Sequence, residues 1–157
     1  MEISFVKYIF EPATNLHKSE IQNLIFSVLI EYGLKPGTID RCLEDIEFNY
    51  FNNGGFFGIV FNNLGQIIAT GGLYKINDKS AEVRKMYIMR EFRGKGIGKF
   101  ILSELIKIAK KNGFSRLELE TAAVLTEAIS LYKKFGFQIF DSKKLAERCD
   151  QAFELII

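Results

Sequence analysis

The sequence predicts a mixed α+β domain formed by residues 1–157 as one unit, and three observations carry that expectation. Strand-like and helix-like runs follow one another in the order β-α-α-β-β-β-α-β-α-β-β, with no internal repeat and no linker. Apolar residues make up 48% of the chain and charged residues 25%, the balance of a protein that buries a core. A length of 157 residues suits one folding unit, since domains hold roughly 100–200 residues.

Each element has a local reason. Ser4 to Phe10 is rich in β-formers and reads as a first strand ended by Pro12. From Ser19 to Tyr32, Ile21, Leu24, Ile25, Val28 and Leu29 recur at helical spacing, and Gly33 stops the run. A shorter helix is expected from Ile39 to about Phe48, with Thr38 as its N-cap. Asn52 to Gly55 form a turn. Phe56 to Phe61 is a strand, Asn62 to Gly65 a hairpin turn, and Gln66 to Tyr74 the next strand. Gly71-Gly72 inside it predicts a bulge or bend. After a turn at Asn77-Asp78, Ala81 to Met89 is a further strand.

The second half alternates helix and strand. Ile97, Ile101, Leu105, Ile108 and Ala109 share one helical face, opposite Lys99, Ser103, Lys107 and Lys110, and Asn112-Gly113 closes the helix. Arg116 to Thr121 alternates Leu117 and Leu119 with Glu118 and Glu120, a strand. A last helix is expected from Thr126 to Phe135, stopped by Gly136. Gln138 to Phe140 and Ala152 to Ile157 are short closing strands.

Composition removes several kinds of chemistry. A net charge of +2 gives no overall basic surface for nucleic acid. The expectation is no nucleic-acid partner and no membrane span, because no uncharged run reaches the ~20 residues needed to cross a bilayer. No signal peptide is visible, and the two cysteines, Cys42 and Cys149, match no ligand spacing, so a cytoplasmic location with free thiols is expected. The single histidine, His17, lies in a helix entry beside Thr14, Asn15 and Ser19, and a histidine-rich metal site is not available. No metal is expected. Catalysis is left to carboxylate, tyrosine and backbone groups.

The most informative segment is Arg93-Gly94-Lys95-Gly96-Ile97-Gly98-Lys99, between a strand and an amphipathic helix. Glycines let several backbone N–H groups turn toward one anion, and the following helix adds its positive end. Arg84, Lys85, Arg90, Arg93, Lys95 and Lys99 crowd this stretch, opposed only by Glu91. A phosphate ligand accounts for both features. The Walker A pattern fails because Arg93 and Phe100 occupy its required Gly and Ser/Thr positions, and the dinucleotide fingerprint fails at Lys99 and Ile101.

Arg93-Gly94-Lys95-Gly96-Ile97-Gly98 resembles the acyl-CoA-binding motif of the GNAT superfamily of N-acetyltransferases, written Arg/Gln-x-x-Gly-x-Gly/Ala. Val83-Arg84-Lys85-Met86-Tyr87-Ile88 resembles that family's fourth strand, and Ala128-Ile129-Ser130-Leu131-Tyr132-Lys133-Lys134-Phe135-Gly136-Phe137 is similar to its A-I-x-L-Y-x-x-x-G-F signature. These motifs span about Ala81 to Phe137; the N-terminal half is supported by element order. The resemblance implies a central, mostly antiparallel twisted sheet flanked by helices, and acetyl-CoA as cosubstrate.

Residue by residue, it implies that Arg93, Gly94, Lys95, Gly96, Ile97, Gly98 and Lys99 surround the CoA pyrophosphate. Met86, Tyr87 and Ile88 would pair with the pantetheine arm, in a slot between the strands ending near Ile88 and Thr121. Tyr132 matches the tyrosine placed beside the thioester sulfur. Because Ala128, Leu131, Tyr132 and Phe135 share a helical face, a core role is its alternative. An alkyl ammonium is only about 0.1% neutral near pH 7.4, roughly 4 kcal/mol from its nucleophilic form, so a base is sought. Glu82 and Glu120 are the candidates. The sequence departs from the family at Leu125, where many members carry an asparagine that contacts the cofactor arm.

The function expected is transfer of an acetyl group from acetyl-CoA to a primary amine, by direct attack in a ternary complex. The acceptor is a small-molecule amine or a peptide or protein amine, and the resemblance allows a homodimer. Phe48, Tyr50, Phe51, Phe56, Phe57 and Phe61 border the acceptor region and read as core packing ahead of an aromatic pocket. One rival is a catalytically silent acyl-CoA-binding module, which binds acetyl-CoA without transfer. The other is a nucleic-acid-binding domain using Arg84 to Lys99, which predicts salt-dependent binding that CoA does not displace.

Overall fold

A computed structural model describes residues 7–143 and 145–157. Among the described residues, seven strands form one sheet in the order β1-β2-β3-β4-β5-β7-β6: β1 Glu11–Pro12, β2 Phe56–Phe61, β3 Ile67–Lys75, β4 Ser80–Ile88, β5 Arg116–Thr121, β6 Gln138–Phe140 and β7 Gln151–Ile156. The α-helices that flank it are α1 Lys18–Glu31, α2 Ile97–Lys111 and α3 Thr126–Lys134. The mixed α+β class and the mostly antiparallel sheet are those expected; among the described residues, only the β4–β5 pairing is parallel.

The central strands are buried on both faces, which explains why Phe56–Phe61 is a nearly continuous apolar run. Phe57 and Ile59 pack with Ile21, Ile25 and Leu29 of α1. Val60 joins Ile101 and Leu105 of α2 in a second cluster, which extends through Leu117, Leu119 and Phe153 to Tyr132 of α3. Gly71 permits the close approach of α2, since a Cβ there would stand 2.5 Å from Ile101 Cγ2.

The bulge predicted by Gly71-Gly72 is present, and the extra residue lies on the facing strand. Thr70 pairs with Tyr87 and Gly72 with Arg84, so Lys85 and Met86 together oppose Gly71. Lys85 takes φ 57, the left-handed region, and its carbonyl accepts the Thr70 hydroxyl at 2.6 Å. A bulge adds local twist to its strand. It turns the second half of β4, which stays paired with β3 through Tyr87 and Ile88.

Three expectations need correction. Residues 7–10 are not a strand; Phe10 instead packs its ring on Phe56 at 5.5 Å, while residues 4–6 lie outside the described residues. The strand is Glu11–Pro12, and Pro12 is its last residue, tolerated because an edge strand does not need the missing N–H. The helix expected over 39–48 is two pieces, a 3₁₀ turn Thr38–Glu44 and a π-helical turn Glu47–Phe51, with Asp45 extended between them at φ -142. The side chains Asn15 and Asp45 separate them: Asn15 Oδ1 accepts the Ile46 N–H at 2.8 Å and Asp45 Oδ1 the Phe48 N–H at 3.0 Å. Thr38 is not the cap. Gly37 holds that position, and Asp40 Oδ2 accepts its N–H at 2.8 Å.

Candidate active site

β4 and β5 run side by side only from Ser80 and Arg116 to Glu82 and Glu118. Beyond that they part, and a cleft of about 370 Å³ opens between them, within the roughly 300–1,000 Å³ of small-molecule sites. Its wall includes Glu82, Met86, Tyr87 and Ile88 of β4, then Arg93, Gly94, Gly96, Ile97, Gly98 and Lys99, then Glu120 and Leu125, and Tyr132 of α3. Of the residues singled out in the sequence, Lys95 is not in the wall; its ammonium lies 5.3 Å from the Phe92 ring centroid.

The glycine turn enters α2 through Gly94 at φ 74 and Gly96 at φ 84. Gly96 is the N-cap, no side chain caps the helix, and its first turn has no acidic residue. The N–H groups of that turn have no partner inside the helix, as at any helix start. Gly98 serves packing. A Cβ there would sit 3.2 Å from Leu131 Cδ2 and 3.3 Å from Ile88 Cδ1, where α2, α3 and β4 converge. Gly98→Val is therefore expected to cost about 1–3 kcal/mol in stability by overpacking, read as a lowered urea midpoint.

The structure redistributes the basic cluster. Arg84 pairs with Glu82 at 3.0 Å and stacks over Tyr74, and Lys85 pairs with Asp40. Arg93 pairs with Glu31, donates to Tyr32 Oη at 3.1 Å and sends its Nε to the Ile88 carbonyl at 3.0 Å. Three of the six cations are thus spent on internal partners, and the side chain of Arg93 ties the turn to α1 and β4. His17 is a helix-entry residue whose Nδ1 accepts the Thr14 N–H at 3.0 Å. Phe48, Tyr50, Phe51, Phe56, Phe57 and Phe61 do not line the cleft; Tyr50 and Phe57 are fully buried against each other at 4.9 Å.

A charge cluster at the cleft escapes sequence reading: Lys85 and Arg148 line the cleft, and Asp40, outside its lining, pairs with both. Asp40 accepts hydrogen bonds from Lys85 and from both terminal nitrogens of Arg148, at 2.6 and 3.0 Å. The Lys85 and Asp40 side chains are only 2% and 4% exposed. The three residues come from β4, the Thr38–Glu44 turn and the segment before β7, so no periodicity links them. The one sequence signal is Lys85 itself, a charge inside a strand buried on both faces, which requires a partner. Burial alone would raise the Asp40 pKa, but the bonds from Arg148, Lys85 and Gly37 outweigh it and hold the carboxyl well below the usual range. Burial lowers the Lys85 pKa, with Asp40 opposing.

The other titratable groups divide by environment. Tyr132 packs on Phe137 at 5.8 Å, and burial raises its pKa well above the ordinary phenol value, so it stays protonated. It is a core aromatic and a cleft residue at once. Burial raises Glu120 as well, opposed by the Ala146 N–H on Oε2 at 3.0 Å and assisted by Glu82. Cys149 is pushed up to about 11, first by burial and then by Glu120 and Glu82. A thiol so protonated is a poor nucleophile. Its iodoacetamide alkylation near pH 7.5, followed by peptide mass spectrometry, is expected to run about a hundredfold below an ordinary thiol. Among the described residues, no group of three His, Cys, Asp or Glu is placed to hold a metal, and no helix is long and apolar enough to cross a membrane.

Comparison with known proteins agrees with this architecture. The model of the acetyltransferase (GNAT) family matches residues 24–137. The uncharacterized N-acetyltransferase YjgM of Escherichia coli is 34% identical over 128 residues, which are 77% of this chain and 76% of that protein. Matches to relatives from Dictyostelium discoideum and Mus musculus span 29% and 48% of their lengths. The crystal structure of a GNAT-family acetyltransferase from Staphylococcus aureus superposes with TM-score 0.88 at 25% identity, over 94% of this chain and 98% of that one. A GNAT phosphinothricin acetyltransferase from Sinorhizobium meliloti, solved with acetyl-CoA, superposes with TM-score 0.76 at 17% identity, over 97% and 89% of the two chains.

Proposed function

The chain belongs to the GNAT family of acetyltransferases, and from that premise we propose that it transfers an acetyl group from acetyl-CoA to a primary amine, acting as one domain. The observation that carries this reading is the parting of β4 and β5 beyond Glu82 and Glu118. It opens one cleft with the glycine turn, the free edge of β4 and Tyr132 in a single wall.

In this reading the pyrophosphate lies on the backbone of Arg93 to Lys99, and the first turn of α2 supplies uncompensated N–H donors. The side chain of Arg93 acts as a brace, since Nε is committed to the Ile88 carbonyl and Nη1 to Glu31 and Tyr32, while Nη2 is buried without a partner among the described residues. The pantetheine arm follows the edge of β4 at Met86, Tyr87 and Ile88. Leu125 meets it as an apolar contact.

Chemistry proceeds by direct attack. The amine nitrogen forms a bond to the thioester carbon, a backbone N–H of β4 stabilises the oxyanion, and the C–S bond then breaks. The surplus ammonium proton passes to Glu120 or Glu82, or to water between them. Glu120 is the better base of the two, because Glu82 is held by Arg84 and burial lifts Glu120 toward the working pH. Tyr132 supports the departing thiolate by a hydrogen bond; its raised pKa opposes full proton transfer to a thiolate whose own pKa is ~8.5. A covalent acyl-cysteine has no support in the protonated Cys149.

Titration calorimetry with acetyl-CoA, with ATP and NAD as controls in moderate salt, tests the cofactor assignment. Selective micromolar binding is expected. A folded protein that ignores acetyl-CoA would overturn it.

A further inference from the structure

The Asp40 cluster carries more positive charge than it answers. Asp40 is one carboxylate facing two cations, Lys85 and Arg148, and all three side chains are largely withdrawn from water. Arg148 has five N–H donors and uses two on Asp40 at short range, with longer 3.5 Å contacts to the Lys35 carbonyl and the Tyr87 hydroxyl. The two donors held only at 3.5 Å are therefore open to a closer acceptor at the edge of a cavity, where an anion gains most and a neutral group gains little.

Opposite charge lines the same cleft, in Glu82 and Glu120. Two carboxylates and the two cations Lys85 and Arg148 around one cavity offer separate seats for an ammonium and a carboxylate.

We propose that the acceptor is a small amino acid, an amine carrying its own carboxylate, with the carboxylate held by Arg148 and the Tyr87 hydroxyl and the amine directed to Glu82 and Glu120. This assignment rests on the acetyl-CoA reading above. It makes Arg148 a specificity residue and Asp40 and Lys85 the groups that position it. The amine loses its proton to the carboxylate pole and attacks the thioester, while the substrate carboxylate stays bound and unreacted. The products are an N-acetyl amino acid, CoA and one released proton.

The test compares substrates on one enzyme preparation. The twenty standard amino acids, their primary amides and the corresponding decarboxylated amines are offered with acetyl-CoA, and release of the CoA thiol is followed. One or more acids are expected to exceed their own amides and amines in kcat/KM by roughly 10- to 100-fold, the scale of lost charge-assisted hydrogen bonds. In Arg148→Met the acid-to-amide ratio is expected to collapse toward one; as a ratio within one preparation, it is insensitive to partial misfolding. Amides or simple amines turned over as well as the acids would overturn the proposal. So would failure of every acid in a preparation that binds acetyl-CoA by calorimetry. Absence of acetyl-CoA binding would instead sink the cofactor reading, and the acceptor proposal with it.

Discussion

Tyr132→Phe is expected to lower turnover by about a hundredfold while acetyl-CoA affinity and thermal stability stay near those of the parent, the scale on which one positioned proton donor acts. The ring is what packs: it lies against Phe137 inside the core shared by α2, α3 and the sheet. Phenylalanine keeps that contact and removes only the hydroxyl at the cleft wall. Because burial holds the phenol protonated, it can donate throughout the pH range in which an amine becomes nucleophilic. Steady-state turnover, calorimetry and a melting curve separate the outcomes. Unchanged turnover would leave Tyr132 as packing alone, whereas lost stability would show that the hydroxyl serves the fold.

Asp40→Ala is expected to carry a large stability cost, about 3–5 kcal/mol, because it strands two buried cations facing each other. For a chain of this size that corresponds to a melting temperature lower by on the order of 10 °C. The pH dependence follows from the depressed carboxyl. Its folded-state pKa lies below its unfolded value, so its contribution is complete above the ordinary carboxylate range and disappears as pH falls toward the folded-state value. The parent should therefore lose stability in acid more steeply than the variant, and the two melting curves should converge there. A cost below about 1 kcal/mol would mean that solvent already compensates the cluster.

Legibility in the sequence followed locality. The strand Phe56–Phe61 and the helices at Ser19–Tyr32 and Ile97 onward emerge within a residue or two of their observed bounds, because apolar spacing and turn glycines are properties of a short window. The glycine turn and Tyr132 were legible for the same reason, each inside one contiguous motif. Where a long-range side chain intervenes, local reading misleads. Asn15 and Asp45 divide residues 38–51 into two kinds of turn, although the sequence there resembles one helix. The basic run from Arg84 to Lys99 reads as one phosphate-facing patch until Glu82, Asp40 and Glu31 claim half of it.

By itself, then, the chain determines its element types, the glycine turn ahead of α2 and the family that those motifs resemble, since each depends on residues a few positions apart. Tertiary structure alone decides where β4 leaves β5, because that depends on a bulge at Lys85 set by pairing with β3. It also decides which cations are free and what stands beside Tyr132 in the cleft. Asp40 and Arg148 are 108 residues apart, and no spacing in a sequence encodes a meeting that only the assembled sheet and its packed loops bring about.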